Sequence, residues 1–192
     1  MSRRQALFLD RDGVINTDRG YVLAEKDFEF VDGVFDLCRA ARDLGYLIVV
    51  VTNQAAIGRG YLTEQRFREL NDWMCRRFRA EGVEIERVYY SPTHPEYGVG
   101  PYRVDSPLRK PGPGMILRAR DELGIDLQQS VLIGDKATDI QAGISAGIGC
   151  NLLFAGKAGE AVDRGKALAA IATLGEAVPF LRTKAGTADA SP

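Results

Sequence analysis

Cysteine is scarce: three residues in 192, at positions 38, 75 and 150. They are too far apart and odd in number for a disulfide framework, so the chain is expected to keep reduced thiols inside core elements and to reside in a reducing cytoplasm. An excess of charge of one sign is missing too, since 25 Lys and Arg stand against 26 Asp and Glu. That near-neutrality argues against nucleic acid as the main partner, which would call for a basic face that releases counterions. The apolar stretch near the N-terminus, Ala6 to Leu9, ends at Asp10. It is too short for a signal peptide or a membrane span, so neither export nor insertion is expected.

What is present is an ordinary globular composition, 45% apolar and 27% charged, in a length that suits one core. Residues 1–184 are expected to form one domain, most simply a monomer, and the small, polar residues 185–192 a flexible tail. Ala6 to Leu9 reads as a buried strand. Val34, Leu37, Cys38, Ala41 and Leu44 then follow a helical period, with Asp32 as the expected N-cap and Gly45 as the stop. The β-branched run Leu47 to Val51 reads as a strand covered on both faces. The alternation continues through a helix from Thr63 to Ala80, a strand from Arg87 to Tyr90, a helix from Pro113 to Leu123 and a strand from Val131 to Ile133. A helix from Thr138 to Ala146 and a strand from Cys150 to Phe154 follow. Leu168 to Ile171 could add an edge strand, and Thr173 with Glu176 suggests a capping box for a last helix. Strands alternating with helices imply an α/β fold built on a doubly wound parallel sheet. Between Ser91 and Arg109, prolines and glycines exclude regular structure and suggest a recognition loop.

In such sheets ligands bind beyond the carboxyl ends of the strands. Asp10 and Asp12 follow one strand, Thr52 and Asn53 a second, Ser91 a third and Asp135 a fourth, with Arg109 and Lys110 opening a helix. Singly, each has a plain explanation: Asp-x-Asp-Gly as a turn, Lys110 as a solvated lysine, Asp139 as a helix-end carboxylate. An EF-hand is excluded, because Gly13 is fourth in its run rather than sixth. The four signals in this order are much harder to obtain by chance. Asp10-Arg11-Asp12-Gly13-Val14-Ile15, Val51-Thr52-Asn53, Lys110-Pro111 and Gly134-Asp135-Lys136-Ala137-Thr138-Asp139 resemble the four motifs of the haloacid dehalogenase superfamily.

The resemblance implies a Rossmann-like core and phosphomonoester hydrolysis through an aspartyl-phosphate. Asp10 would be the nucleophile, and Asp12 the acid that protonates the leaving oxygen and later the base that activates water. Asp10, Asp135 and the backbone carbonyl of Asp12 would hold Mg²⁺, Thr52 and Lys110 would stabilise the transferring phosphoryl group, and Lys136 and Asp139 would support them from behind. Neither the gap after Gly13 nor the loop 91–109 holds a cap domain, so an open site is expected. Phe8-Leu9-Asp10-Arg11-Asp12-Gly13, Gly20-Tyr21-Val22, Val51-Thr52-Asn53-Gln54, Tyr89-Tyr90-Ser91-Pro92 and Arg109-Lys110-Pro111 further resemble the subgroup of heptose bisphosphate and histidinol-phosphate phosphatases. That implies a small sugar phosphate as substrate, contacted by Arg11, Asp18, Arg19, Gly20, Tyr21, Asn53, Gln54 and Arg109. A guanidinium fork at Arg109 would suit a distal phosphate. Many members of the subgroup bind zinc in the loop, but Ser91, Thr93, Ser106 and Leu108 stand where its ligands would be. No structural zinc is expected, and the lone His94 is expected to serve the loop or the substrate.

Overall fold

The computed structural model describes residues 4–156 and 167–186. Six strands, β1 (Ala6–Leu9), β2 (Leu47–Asn53), β3 (Ile85–Ser91), β4 (Val131–Gly134), β5 (Cys150–Phe154) and β6 (Ala169–Ile171), form one sheet. Their order is β3-β2-β1-β4-β5-β6, and every pairing is parallel. The expected doubly wound α/β fold is therefore present.

Helices cover both faces, so the central strands carry apolar residues at successive positions rather than alternating with polar ones. On one face Leu7, Leu9, Ile48, Val50 and Ile133 pack with α1 (Val34–Asp43), α3 (Glu64–Ala80) and α6 (Val178–Gly186). On the other, Ala6, Phe8, Val49, Val51 and Leu132 pack with α4 (Gly114–Leu123) and α5 (Ala137–Ala146). Side chains one residue apart in a strand thus enter two separate cores, and the sheet is clamped between them.

Several local expectations need correction. Asp32 does not cap α1: Gly33, with φ 82°, is the N-cap and no side chain bonds there, because the chain enters from a left-handed turn. Strands β2 and β3 run on through the polar Thr52-Asn53 and Ser91, since ladder bonds continue past the apolar stretch. A four-residue helix, α2 (Ala55–Gly58), is too short to show a period in sequence. The loop 91–109 is not wholly irregular, since Gly100–Tyr102 makes a 3-10 turn. Thr173 and Glu176 do not form a capping box: Glu176 accepts from the Ala172 backbone and the Thr173 hydroxyl, over a 3-10 turn that precedes α6. Thr63 does cap α3, accepting from the Arg66 backbone at 3.1 Å. Of the three cysteines, Cys38 and Cys150 are buried, Cys75 is only half-buried, and all are free thiols. Of the expected tail 185–192, residues 187–192 lie outside the described residues.

The chain runs outward from β1 to β3 and then returns to β4 on the other side of β1. This reversal opens a crevice at the carboxyl ends of β1 and β4. Residues 14–33 and 92–113, which flank it, contain the 3-10 turns Glu25–Asp27 and Gly100–Tyr102 and an isolated bridge between Asn16 and Phe30.

Candidate active site

The crevice is a cleft of about 320 Å³ whose lining includes Asp10, Asp12, Asn53, Gln54, Arg109 and Lys110. Asp10 is placed by the sheet, because its backbone N–H continues the ladder to the Ile133 carbonyl at 3.1 Å. Two glycines let the acidic residues converge. A Cβ on Gly13, whose φ is 101°, would lie 2.2 Å from Asp135 Oδ2, and one on Gly134 would lie 2.1 Å from the Asp139 Cβ. Any larger residue at either position would push the carboxylates apart.

Lys110 sits at the centre of the cluster. Its buried ammonium lies 2.8 Å from Asp10 Oδ1 and 2.6 Å from Asp139 Oδ1, and donates to the Val51 carbonyl at 2.9 Å. All three protons of the ammonium are thereby engaged. Burial disfavours the charge on Lys110, but Asp10 and Asp139 more than offset it and raise its pKa. The backbone of Lys110 is held as firmly, since the Asn53 amide donates to its carbonyl and accepts from its N–H, each at 3.0 Å. Asn53 therefore spends its amide on placing Lys110. Asp139 accepts from Lys110 with one oxygen and from the Lys136 backbone with the other, at 2.9 Å.

One carboxylate oxygen from each of Asp10, Asp135 and Asp139 lies within 4.8 Å of the others. Burial pushes the Asp10 carboxyl up to about 6 and that of Asp135 up to about 7, and the charge of Asp10 adds to the rise at Asp135. Asp135 Oδ1 is buried with no hydrogen-bond partner among the described residues. Crowded carboxylates with an orphaned oxygen are what a hard divalent cation would satisfy. Asp139 is less available to an ion than Asp10 and Asp135, because both its oxygens are occupied.

The carboxylate of Asp12 is tied to Arg11, Gln54 and Asn16. Thr52, 1% exposed, accepts from Gln54 at 2.9 Å and keeps its hydroxyl proton to donate. Across the cleft, Asp18 accepts from the Gly20 backbone and pairs with Lys136, both at 2.9 Å, which pins the segment 18–21 over the start of α5. Gly20 and Tyr21 line the cleft. Arg19 does not line it, and pairs with Glu29 on the surface.

Arg109 lines the other rim and donates to the Thr93 carbonyl at 2.9 Å. Partial burial lowers its pKa, and the neighbouring Arg59 cation lowers it further. Arg59 is itself 4.4 Å from the Tyr97 ring. The loop 91–109 is held by more than proline stiffness. Tyr102 and Tyr90 donate to Glu64 at 3.0 and 2.9 Å, and Val99 N–H donates to the Gly58 carbonyl at 2.8 Å. Ser91 and Thr93 pair through their hydroxyls at 3.1 Å. His94 Nδ1 accepts from the Glu96 and Tyr97 backbones, so this histidine organises a turn. One site residue carries no clear sequence signal: Asn16 donates to Asp12 from a fully buried position. Thr138, within the fourth motif but given no role there, lines the cleft at the start of α5. A polar residue directly after the apolar Val14-Ile15 was the only hint of Asn16.

Known proteins resemble this chain in sequence and fold. The HAD-hydrolase-like family model covers residues 107–175. The D-glycero-alpha-D-manno-heptose-1,7-bisphosphate 7-phosphatase of Burkholderia mallei is 51% identical over 93% of this chain and 94% of its own length. The D-glycero-beta-D-manno-heptose-1,7-bisphosphate 7-phosphatase of Vibrio cholerae is 48% identical over 88% of this chain and 90% of its own. Among solved structures, a protein described as a HAD-like phosphatase from Mesorhizobium loti superposes with a TM-score of 0.84 at 34% identity, covering 98% of this chain and 88% of its own. A D,D-heptose 1,7-bisphosphate phosphatase from B. bronchiseptica, complexed with magnesium and phosphate, shares the fold with a TM-score of 0.77 at 23% identity over 94% and 99% of the two chains. With the motifs gathered around one cleft and half the residues shared along almost the whole length, the chain belongs to the haloacid dehalogenase-like hydrolases, in their phosphatase branch.

Proposed function

We propose that this chain removes the 7-phosphate of D-glycero-D-manno-heptose 1,7-bisphosphate, acting as a capless, monomeric, cytoplasmic enzyme that uses Mg²⁺ and carries no zinc. The observation that carries this reading is the 51% identity to a relative named for that activity. No helix among the described residues is long and apolar enough to cross a membrane, which is compatible with it.

Asp10, Asp135 and the Asp12 carbonyl would hold the ion, which when bound neutralises phosphate charge and favours approach of the carboxylate. Among the described residues, the hydrogen bonds that Asp10 accepts on its side chain fall on Oδ1, from Arg11 N and Lys110 Nζ. Its Oδ2 is the oxygen suited to attack. As the bond from Asp10 to phosphorus forms and the ester P–O bond breaks, Asp12 passes a proton to the leaving oxygen. Water then attacks phosphorus, gives a proton to Asp12 and frees inorganic phosphate, regenerating Asp10. Thr52 would donate to the equatorial oxygens common to every substrate, Lys110 would act on them through its charge, and Arg109 would bind the phosphate that stays.

A panel of both heptose bisphosphate anomers against histidinol phosphate tests the substrate. A kcat/KM for histidinol phosphate equal to or above those for the bisphosphates would overturn the assignment. Arg109→Ala is expected to lower kcat/KM by about ten- to a hundredfold on a bisphosphate, the worth of one charge-assisted pair, and only slightly on the matched monophosphate. Equal losses on the two substrates would mean that Arg109 does not read the second phosphate.

The raised carboxyls also predict a coupling between pH and metal. Protonated Asp10 and Asp135 favour the metal-free fold, so their contribution is full below the ordinary pKa of 3.8 and is lost as pH rises through about 6 to 7. Mg²⁺ added to chelated protein is therefore expected to raise Tm more at pH 8 than at pH 5. Thermal unfolding with and without Mg²⁺ reads this directly, and equal shifts at the two pH values would contradict it.

A further inference from the structure

Arg11 has an unusual position for a residue beside a cleft. Its side chain is 1% exposed, and its guanidinium lies 5.5 Å from the Phe67 ring centroid and 6.0 Å from that of Phe28. Nε and Nη2 donate to Asp12 Oδ1 at 3.2 and 2.9 Å, and Nη2 reaches Oδ2 at 3.0 Å. The same Nη2 lies 3.2 Å from Gln54 Oε1. Gln54, 4% exposed, donates to Asp12 Oδ2 at 2.7 Å and to Thr52 Oγ1 at 2.9 Å. Arg11 Nε and Nη2 and the amide of Gln54 are thus spent on neighbouring protein groups.

Burying a guanidinium is costly, and Arg11 Nη1 has no hydrogen-bond partner among the described residues. An apolar side chain between the two phenylalanines would fill the space without that penalty. What an apolar residue could not do is fix the plane of a carboxylate. The planar fork of arginine sets both the position and the rotation of the group it grips, where lysine would give only a point contact.

We propose that Arg11 and Gln54 form a clamp that fixes the plane of the Asp12 carboxyl group, which in its protonated form gives a proton to the leaving oxygen and in its ionised form takes one from water, with Gln54 tying it to Thr52. The clamp rests on the reading of Asp12 as general acid, and makes both residues positioning residues rather than substrate contacts. A misplacement of about 1 Å at a reacting group can cost on the order of a hundredfold. The loss should depend on how much the leaving group needs a proton. An alkoxide leaves poorly without one, whereas p-nitrophenolate leaves unaided.

The test measures the single-turnover rate of the first chemical step in Arg11→Lys and Gln54→Ala, with a sugar phosphate and with p-nitrophenyl phosphate. The expected result is a slowing of about 30- to 100-fold on the sugar phosphate, with KM within about twofold, and less than about threefold slowing on p-nitrophenyl phosphate. Asp12→Asn is the reference. If it slows both substrates equally, the general-acid reading fails and the clamp with it. If Asp12→Asn is selective but the folded clamp variants lose equally on both substrates, or lose only in KM, the clamp alone is overturned. Should Arg11→Lys not fold, Gln54→Ala decides the question, since it keeps the buried cation.

Discussion

Asp10→Asn is expected to abolish phosphate release, by at least about 10⁴-fold, the scale seen when a covalent nucleophile is removed. A neutral amide oxygen does not attack phosphorus, and it ligates a divalent ion more weakly than a carboxylate. The fold should survive. Asparagine has the same shape, and its oxygen can still accept from Arg11 N and Lys110 Nζ, which bond Asp10 Oδ1 at 2.7 and 2.8 Å. Lys110 also keeps Asp139 as an anionic partner. Metal-free Asp10→Asn should even gain stability relative to the parent at pH 8, because it removes a buried charge that the folded protein disfavours. Assays of released phosphate, with thermal unfolding of the same preparations, check both halves. Near-normal turnover would eliminate Asp10 as the nucleophile.

Removing Lys110 should harm chemistry and stability together. In Lys110→Met the apolar stem is largely kept, while Asp10, Asp139 and the Val51 carbonyl lose their shared donor. Breaking a buried ion pair by deleting one partner typically costs about 3–5 kcal/mol, because the remaining charge stays buried without its partner. Loss of the positive charge offered to the transferring phosphoryl group adds about 10²- to 10³-fold in kcat. Unlike the Arg109→Ala effect, this loss should be the same for a bisphosphate and a monophosphate, since every substrate presents the phosphoryl group. Urea unfolding and a two-substrate assay read the two effects separately. A variant of parental stability, or one that discriminates between the substrates, would contradict the central place of Lys110.

The parts of this molecule legible in its sequence are those in which local chemistry and tertiary packing agree. Apolar runs of three to five residues bounded by Asp10, Gly134-Asp135 and Thr52 read as strands buried on both faces, and they are. The order of Asp10, Thr52, Lys110 and Asp135 along the chain was readable as one site because parallel strands all end on the same side of the sheet.

The direction in which each polar side chain turns was not legible, because that depends on neighbours distant in sequence. Asn53, 57 residues from Lys110, binds its backbone, and Gln54 reaches 42 residues back to Asp12. Asp18 meets Lys136 across 118 positions. Arg19 turns outward to Glu29 instead of into the cleft, and Arg11 turns inward between two phenylalanines. The sequence alone therefore determined the sheet, the site and the residue types that meet there. Only the tertiary structure decided which of those residues face the cleft and which hold the others in place, since hydrogen bonds form between groups that packing brings within about 3 Å, whatever their separation along the chain.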